Sequence, residues 1–353
     1  MTRKVSLRVF AAVGFALGIT TLGALAVRLQ AADLSLDMVQ GAAGKGDRKP
    51  QREWRLVDGK HWQIVGGTPE DPAVTDAAEG TRGDCAPGMV EVKGNMKTDG
   101  KNRSPFDPKT IEEQQKRTCT KWITRDYPER CAEFDRDAWL KLSKDIPTTP
   151  MHFCMDRFEF PNIKGVYPII HIAWFEAAAK CKDIGKRLCN EDEWTFACEG
   201  EEATPYPYGY VRSPEKCVID ANWRAFNEKA MRPRDGYDAM LEMDKLWQGV
   251  ASGSRPECKS VFGVYDMTGN IDEWTQGTRG DRVSILKGGY WGPVRTRCRP
   301  STRSHDENHV FYQQGFRCCT DAPTPGNAPA VNYEAPSPTS VDPSRPTGDS
   351  GSK

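Results

Sequence analysis

The chain has 353 residues with 49 Lys and Arg, 49 Asp and Glu, and a formal net charge of zero. No basic face is expected, which argues against a nucleic-acid-binding protein. Only 38% of the residues are hydrophobic, whereas 32 are Gly and 25 are Pro, so the composition predicts a loop-rich core between flexible termini.

Residues 1–33 have the pattern of a targeting segment. Basic residues near the start precede an uncharged apolar run over 9–27, and small residues follow. The run is roughly 19 residues long, close to the minimum for crossing a bilayer. A cleaved signal peptide and an uncleaved N-terminal anchor both remain open, and cleavage is favoured. We predict an exported protein that is periplasmic, envelope-associated or secreted, and that meets a membrane only if this segment is uncleaved.

The next boundaries follow from composition. Residues 34–80 carry Gly, Lys, Asp and Pro without apolar periodicity, which predicts a flexible linker. Core-like sequence occupies residues 81–320. Residues 321–353 are rich in Pro, Ser and Thr and predict a disordered tail.

Within 81–320 the first predicted element is a short strand over 85–92. Residues 107–144 are highly charged, and we interpret them as an insertion of one or two surface helices. Cys119 and Cys131 are available to tie these helices together.

Four further strands are predicted from short or alternating apolar runs, over 151–161, 168–172, 282–291 and 315–318. Two helices are predicted from helix-forming residues, over 173–183 and 191–198. Gly185 ends the first helix, and Asn190 caps the second, whose first turn is acidic.

Twelve cysteines, an even number, agree with export because an oxidising compartment lets them pair. A metal-binding arrangement is less favoured, since no CxxC pair occurs and Cys318 and Cys319 are adjacent. We therefore predict a domain stapled by disulfides.

Residues 260–274 read SVFGVYDMTGNIDEW, a stretch too turn-rich for a helix. Its glycines permit backbone angles that side chains forbid. Asn270, Asp272 and Glu273 offer oxygen ligands of the kind that calcium prefers. The alternative is an Asx-type turn with solvated carboxylates.

Five motifs resemble those of the formylglycine-generating enzyme family, also called the sulfatase-modifying factor domain. They are GKRLCNEDEW at 185–194, YPYG at 206–209, FGVYDMTGNIDEW at 262–274, LKGGYW at 286–291 and GFR at 315–317. The resemblance covers about residues 85–320 and implies an α+β fold with a C-type-lectin-like core. Because this fold serves oxidases, sulfoxide synthases and ligand-binding modules, it does not settle the function.

The resemblance implies two calcium sites. One set of ligands is Thr268, Gly269, Ile271 and Glu273, and the other is Asn222, Trp223, Asp235 and Tyr237. Glu273, Asn222 and Asp235 would supply side-chain oxygens, and most of the others backbone carbonyls.

Oxidase members of the family bind copper(I) through two cysteines that follow the Gly-Gly strand. Here the segment reads GGYWGPVRTRCRPSTR, with Gly292 and Pro293 where the first cysteine would lie, so only Cys298 remains. The resemblance also implies a structural disulfide from Cys198 to this segment. A free, catalytic Cys298 and a Cys198–Cys298 disulfide are both open. The disulfide is favoured, and copper is not expected.

A second disulfide implied by the resemblance joins Cys181 to Cys318. For the remaining cysteines we predict the pairs Cys85–Cys154, Cys119–Cys131, Cys189–Cys217 and Cys258–Cys319.

A ligand groove is predicted around the Gly-Gly segment and comprises Tyr290, Trp291, Arg295, Arg297, His305 and His309. Arginine beside aromatic side chains suits a peptide, a carboxylate or a sugar. The two histidines could bind a metal together with Asp306 or Glu307, and the alternative is a solvated polar loop. His171 is expected to be a core histidine.

By position in the family, Arg303 and Arg317 are expected to form buried salt bridges. We predict a member of the family that lacks copper-dependent formylglycine-generating activity and acts as a binding or accessory module in the cell envelope, with a peptide, protein or glycan as partner. The alternative is an enzyme that modifies a secreted polypeptide or a metabolite, either a formylglycine-generating-type oxidase or a related oxidoreductase.

Overall fold

The computed structural model describes residues 49–99, 107–280 and 282–323, all in the unit that begins at Asp47. The helices formed by these residues are α1 (Pro72–Glu79), α2 (Ile111–Lys116), α3 (Arg136–Leu142), α4 (Trp174–Asp183), α5 (Glu191–Glu199) and α6 (Tyr237–Leu246), with a short 3-10 helix at Glu228–Met231. The strands are β1 (Trp54–Val57), β2 (His61–Ile64), β3 (Met89–Lys97), β4 (Cys119–Thr124), β5 (Arg130–Phe134), β6 (Thr148–Asp156), β7 (Arg187–Leu188), β8 (Asp272–Gln276), β9 (Ser284–Lys287), β10 (Ser301–Thr302), β11 (Gln314–Phe316) and β12 (Cys318–Asp321).

Two four-stranded sheets form the framework, with the strand orders β10-β9-β8-β11 and β3-β6-β12-β7. The second sheet is antiparallel throughout, whereas β11 runs parallel to β8 in the first. The pairs β1-β2 and β4-β5 form separate hairpins. Short strands and long connections give the α+β, loop-rich architecture that the sequence predicts.

Arg317 lies where the chain passes from one sheet to the other, between β11 and β12. It is fully buried, and its guanidinium donates to both carboxylate oxygens of Glu273 in β8, at 2.7 and 2.6 Å. Its other N–H groups donate to the carbonyls of Asp156 and Tyr265. Trp194 of α5 donates its indole N–H to Glu273 Oε2 at 2.8 Å. The predicted buried salt bridge of Arg317 is therefore confirmed, and it joins both sheets to α5.

The two predicted helices are confirmed as α4 and α5. Asn190 caps α5 by accepting from the backbone N–H of Glu193, whose carboxylate accepts from the backbone N–H of Asn190 in return. None of the helices in the described ranges is long and apolar enough to span a bilayer. The targeting segment predicted for residues 1–33 lies outside those ranges, as does nearly all of the predicted tail.

The predicted strands agree with the structure in all but one case. Those over 85–92, 151–161 and 282–291 overlap β3, β6 and β9, and the one over 315–318 falls on β11 and β12. The strand over 168–172 is wrong, since Ile170 makes only an isolated bridge to Trp62. His171 has a φ of 62°, and this left-handed backbone angle interrupts an extended run.

The linker predicted over 34–80 is wrong for its described second half, which forms the β1-β2 hairpin and α1. Trp62 is buried in the largest core cluster, and Trp54 packs edge-on against Trp247. Composition misled here because the hairpin is held by distant residues. The carboxylate of Asp244 in α6 accepts from the Gln51 backbone N–H at 2.6 Å and from the Trp54 indole at 3.0 Å.

The insertion predicted over 107–144 contains more than helices. The hairpin β4-β5 lies between α2 and α3, and the Cys119–Cys131 disulfide joins its two strands and not the helices. Buried residues anchor the segment, because the side chain of Trp139 is fully buried and that of Gln115 donates to the Ala203 carbonyl at 2.9 Å.

All twelve cysteines are paired. Four predicted disulfides are present, namely Cys85–Cys154, Cys119–Cys131, Cys181–Cys318 and Cys198–Cys298. The pairs Cys189–Cys217 and Cys258–Cys319 are wrong, because the structure joins Cys189 to Cys319 and Cys217 to Cys258. Neighbouring residues on a strand point to opposite faces. Cys318 therefore meets α4, whereas Cys319 meets the residue that follows β7.

Replacing Asp244 should release the N-terminal hairpin. In Asp244→Ala, three donors of residues 51–54 lose their acceptor, and we expect local opening to become easier by about 2–4 kcal/mol. Hydrogen exchange followed by mass spectrometry should show faster exchange of 52–64. Asp238→Ala, an exposed position on the same helix, is the matched control. Equal protection of the hairpin in both variants would contradict the assignment.

Breaking the Glu273–Arg317 pair should cost much more than breaking a surface pair. Glu273→Gln leaves a buried guanidinium uncompensated, and we expect the free energy of unfolding to fall by about 3–5 kcal/mol. Urea unfolding at pH 7 in EDTA measures it without any contribution from calcium. The control is Asp321→Asn, because Asp321 pairs with Arg187 through a side chain that is 90% exposed. Its expected cost is below about 1 kcal/mol.

The double variant Glu273→Leu with Arg317→Met removes both charges together, so it should be more stable than Glu273→Gln. A loss from Glu273→Gln no larger than that from Asp321→Asn would show that the pair is not structurally important.

Candidate functional site

Buried carboxylates gather around the loop at residues 260–274. Glu159 and Asp266 are both at least 99% buried, and the Asn270 amide donates to both oxygens of Glu159, at 3.0 and 2.8 Å. Burial raises the pKa of Glu159, and the nearby charges of Asp266 and Glu273 raise it further. The charge of Arg317 opposes these increases for both carboxyls, and that of Arg255 does so for Asp266.

One buried carboxylate oxygen of Asp266 lacks a hydrogen-bond partner in the described part of the chain. Its Oδ2 accepts from the backbone N–H of Gly253 at 2.7 Å, but its buried Oδ1 has no hydrogen-bond partner among the described residues. Burial raises the pKa of Asp266 to about 7. A buried acceptor without a partner is costly, so this end of the loop suits an additional cation.

The first predicted calcium set fits a cation only in part. Glu273 already gives both oxygens to Arg317, so it could serve only by sharing them. Thr268, Gly269 and Ile271 lie in the same loop as Asp266, and hard cations accept mixed carboxylate and carbonyl ligands. No three His, Cys, Asp or Glu side chains in the described ranges are arranged to hold a metal, so a cation here would depend on backbone oxygens. Asp266 is the residue that best fits a cation site in this loop, and the sequence analysis did not single it out.

The second predicted set lies elsewhere, in the segment that leads into α6. Asn222, Trp223 and Asp235 are exposed, and Tyr237 packs beside the largest core cluster. The Asn222 carbonyl accepts from the Gln248 amide at 3.0 Å. Because Asn222, Trp223 and Asp235 are exposed, water can satisfy their polar atoms, so these residues offer no observation comparable to that at Asp266.

The Gly-Gly segment turns sharply after β9. Gly288 has a φ of 87°, and a Cβ there would lie 2.9 Å from the Met267 carbonyl oxygen, so only glycine fits. Downstream, Cys298 is fully buried and bonded to Cys198 of α5. The position expected for the other oxidase cysteine holds Gly292 and Pro293. This segment therefore contains no free thiol.

The predicted ligand groove is not one surface. Arg297 is only 6% exposed and donates to Gln115 and Glu112 of α2, so it anchors the insertion. Trp291 is 2% exposed and packs on Trp247 in the core. Both were predicted as groove residues, and both are buried because the insertion and α6 cover them. Arg303 pairs with the buried Glu191, as predicted, but its own side chain is 32% exposed, so the pair is not the fully buried one expected.

Two other predicted groove residues, Tyr290 and His309, belong to a set of rings that we call the aromatic strip. The strip consists of Trp223, Tyr290, Tyr312, Phe226, Phe311 and His309. Trp223 packs edge-on against Tyr290 at 5.8 Å between ring centroids, and Tyr290 does so against Tyr312 at 6.3 Å. Phe226 contacts Tyr312 and Phe311 at 5.7 and 4.8 Å. Each ring in the strip is thus supported by a neighbour.

His305 and His309 stack face to face at one end of the strip, with centroids 3.7 Å apart. His309 lies 6.0 Å from Phe311. Burial and the nearby Arg295 lower the pKa of His305, and burial with His305 lowers the pKa of His309 to about 4. Both imidazoles are therefore neutral at pH 7. In the described ranges, no third His, Cys, Asp or Glu side chain is placed to complete a metal site with these two histidines.

Asp272 and Arg295 form a loose pair beside the strip. Arg295 Nη2 lies 3.6 Å from Asp272 Oδ2, and the Arg295 side chain is 21% exposed whereas that of Asp272 is 4% exposed. Asp272 Oδ1 is buried without a hydrogen-bond partner in the described part of the chain. Burial raises the pKa of Asp272 to about 6. Asp272 thus helps to hold the guanidinium of Arg295 in place, and Arg295 presents N–H groups to solvent.

Comparison with known proteins places these features in a family. The profile described as "Sulfatase-modifying factor enzyme 1-like domain" matches residues 119–322. The chain is 30% identical over 200 residues to the inactive C-alpha-formylglycine-generating enzyme 2 of Bos taurus, covering 53% of this chain and 60% of that protein. It is 29% identical over 168 residues to the Mus musculus protein of the same name, covering 45% and 50%.

The chain is also 24% identical over 176 residues to the formylglycine-generating enzyme of Mus musculus, covering 44% of each protein. It thus spans about half the length of the curated relatives that it matches. Among solved structures, PvdO from Pseudomonas aeruginosa aligns with a TM-score of 0.39 and 16% identity over 72% of this chain and 98% of that one. CarF aligns with a TM-score of 0.38 and 11% identity, over 66% and 97%.

The matched residues 119–322 cover more than half of the chain and include all five sequence motifs, the Gly-Gly turn and the Glu273–Arg317 pair. The chain therefore belongs to the sulfatase-modifying factor enzyme 1-like domain family and has its α+β, C-type-lectin-like, disulfide-stapled fold.

Proposed function

We propose that the protein is an exported member of this family that does not convert cysteine to formylglycine and that serves as a binding or accessory module in the cell envelope. The observation that carries the proposal is the Cys198–Cys298 disulfide, which consumes the one cysteine of the Gly-Gly segment.

Copper(I) is a soft ion that binds thiolates. A pair of thiolates would be needed to hold it and still leave room for the substrate thiol and oxygen. Gly292 and Pro293 supply no sulfur, Cys298 is fully buried in its disulfide, and every other cysteine is paired as well. The similarity to the inactive C-alpha-formylglycine-generating enzyme 2 of Bos taurus and of Mus musculus is consistent with this proposal.

Export is supported by the cysteine usage. Six disulfides persist only in an oxidising compartment. The charged and apolar pattern of residues 1–33 supplies a route to such a compartment. The envelope role, with a peptide, protein or glycan as partner, is the part of the proposal that exposed aromatic rings such as that of Trp223 support, together with the absence of a free thiol.

We also propose that the loop at 266–273 binds calcium through Asp266 and nearby carbonyl oxygens. The support is the orphaned Oδ1 of Asp266 and the excess of buried carboxylates around Arg317. The ion would stabilise the loop and take no part in chemistry. The set at Asn222, Trp223, Asp235 and Tyr237 stays a weaker prediction that rests on the family resemblance alone.

The protein should not form formylglycine. When it is supplied with copper(I), oxygen and a cysteine-containing peptide of the sulfatase type, mass spectrometry should show the peptide unchanged, because no thiolate pair is available. An active formylglycine-generating enzyme under the same conditions is the positive control. Cys198→Ala, which frees Cys298, should also be inactive, since one thiolate cannot replace two. Aldehyde product that depends on the wild-type protein would overturn the proposal.

Calcium should raise the melting temperature, and Asp266→Asn should abolish the shift. A ligand that binds only the folded state stabilises it by about 2.7 kcal/mol at a hundred times its dissociation constant. Differential scanning fluorimetry with calcium and with EDTA measures the effect. Asp235→Asn is the control that separates the two predicted sites. Identical melting in calcium and EDTA for the wild type would remove calcium from the proposal.

A further inference from the structure

We propose that the aromatic strip is a binding surface for an uncharged oligosaccharide, in which sugar rings stack on Trp223 and Phe226 and sugar hydroxyls bond to Arg295 and His309. This inference rests on the proposed function, because it gives the binding module its ligand class.

The first argument is that two aromatic rings are exposed although neighbouring rings hold them in place. Trp223 is 59% exposed and Phe226 is 38% exposed, although large aromatic side chains are usually buried. Both rings are held by neighbours, Trp223 against Tyr290 and Phe226 between Phe311 and Tyr312. A rigid, exposed aromatic surface binds apolar ring faces at a low entropic cost.

Gly292 is part of this arrangement. A Cβ at that position would lie 3.2 Å from Tyr290, which is tighter than ordinary packing, and 3.4 Å from Trp223, which is ordinary contact. Glycine there spares the edge of Tyr290 that close contact. Gly292 is one of the two residues at the position expected for an oxidase cysteine, and it borders the strip.

The second argument is charge. The imidazoles of His305 and His309 are neutral at pH 7, and the charge of Arg295 is opposed by Asp272 at 3.6 Å. A strongly cationic ligand would be repelled by the partly exposed guanidinium, whereas a strongly anionic one would gain less from it than from an unpaired arginine, because Asp272 opposes its charge. The balance favours a ligand without net charge.

The third argument is hydrogen bonding. Arg295 offers donors, and neutral His309 offers one donor and one acceptor. A sugar hydroxyl both donates and accepts, so it can use mixed groups of this kind at the border of an aromatic surface. An apolar ligand would leave these groups without partners, which carries a free-energy cost.

The test is calorimetric titration of the full exported chain with cellopentaose, chitopentaose, trigalacturonate and a proline-rich decapeptide, each to about 5 mM. We expect one of the two uncharged oligosaccharides to bind, and trigalacturonate and the peptide not to bind. Trp223→Ala should weaken that binding by about tenfold or more, and Arg295→Ala should weaken it as well. The matched control is Tyr127→Ala, an 86% exposed aromatic residue on the β4-β5 hairpin, with a change within about twofold.

Thermal melting confirms that each variant is folded, and Phe226→Ala replaces Trp223→Ala if the latter melts early. The proposal is overturned if neither uncharged oligosaccharide binds, if trigalacturonate or the peptide binds better, or if Trp223→Ala and Tyr127→Ala behave alike. These outcomes are independent of the formylglycine assay, so a failure of the ligand class is distinguishable from a failure of the proposed function.

Discussion

The ion pair between Glu273 and Arg317 is the constraint on which the rest of the structure depends. Arg317 is the residue at which the chain leaves one sheet for the other, and Glu273 lies in the strand that runs beside β11. A charged pair with both members at least 99% buried survives only if each hydrogen-bonding group is satisfied. That requirement sets the position of Trp194 and of three backbone carbonyls, those of Asp156, Arg157 and Tyr265. Cys318 and Cys319 follow directly, so two disulfides secure the same crossover.

The same interior holds more carboxyl groups than Arg317 alone can pair with. Glu159 and Asp266 are buried nearby, and burial shifts the pKa of each upward. An apolar replacement would pack more cheaply, so these carboxylates indicate a requirement other than stability. The calcium ion proposed above would meet it for Asp266, whose Oδ1 has no protein partner in the described ranges, while Asn270 and Ser252 satisfy Glu159.

Local sequence signals predicted correctly those elements whose formation depends on neighbouring residues. The cap at Asn190 and the acidic first turn predicted α5, and the motif order predicted the family and a buried salt bridge at Arg317, although Glu273, its actual partner, was expected to bind calcium. Long-range features were not predictable in this way. The hairpin at 54–64 depends on Asp244, roughly 190 residues away, and the partners of Cys318 and Cys319 depend on which face of β12 each residue occupies. Trp223 and Phe226 stand in an irregular segment, where no periodicity shows which other rings they will meet.

The segment after the Gly-Gly turn shows how one substitution can alter two properties. A cysteine at position 292 or 293 would bring a thiol toward the groove, and at 292 its Cβ would also press on Tyr290. Glycine at 292 supplies no sulfur and also leaves room beside the edge of Tyr290. The absence of a thiol and the packing of these rings therefore meet at one residue of the segment. The scaffold tolerates this change because its stability lies in the ion pair and the disulfides, which do not involve residue 292.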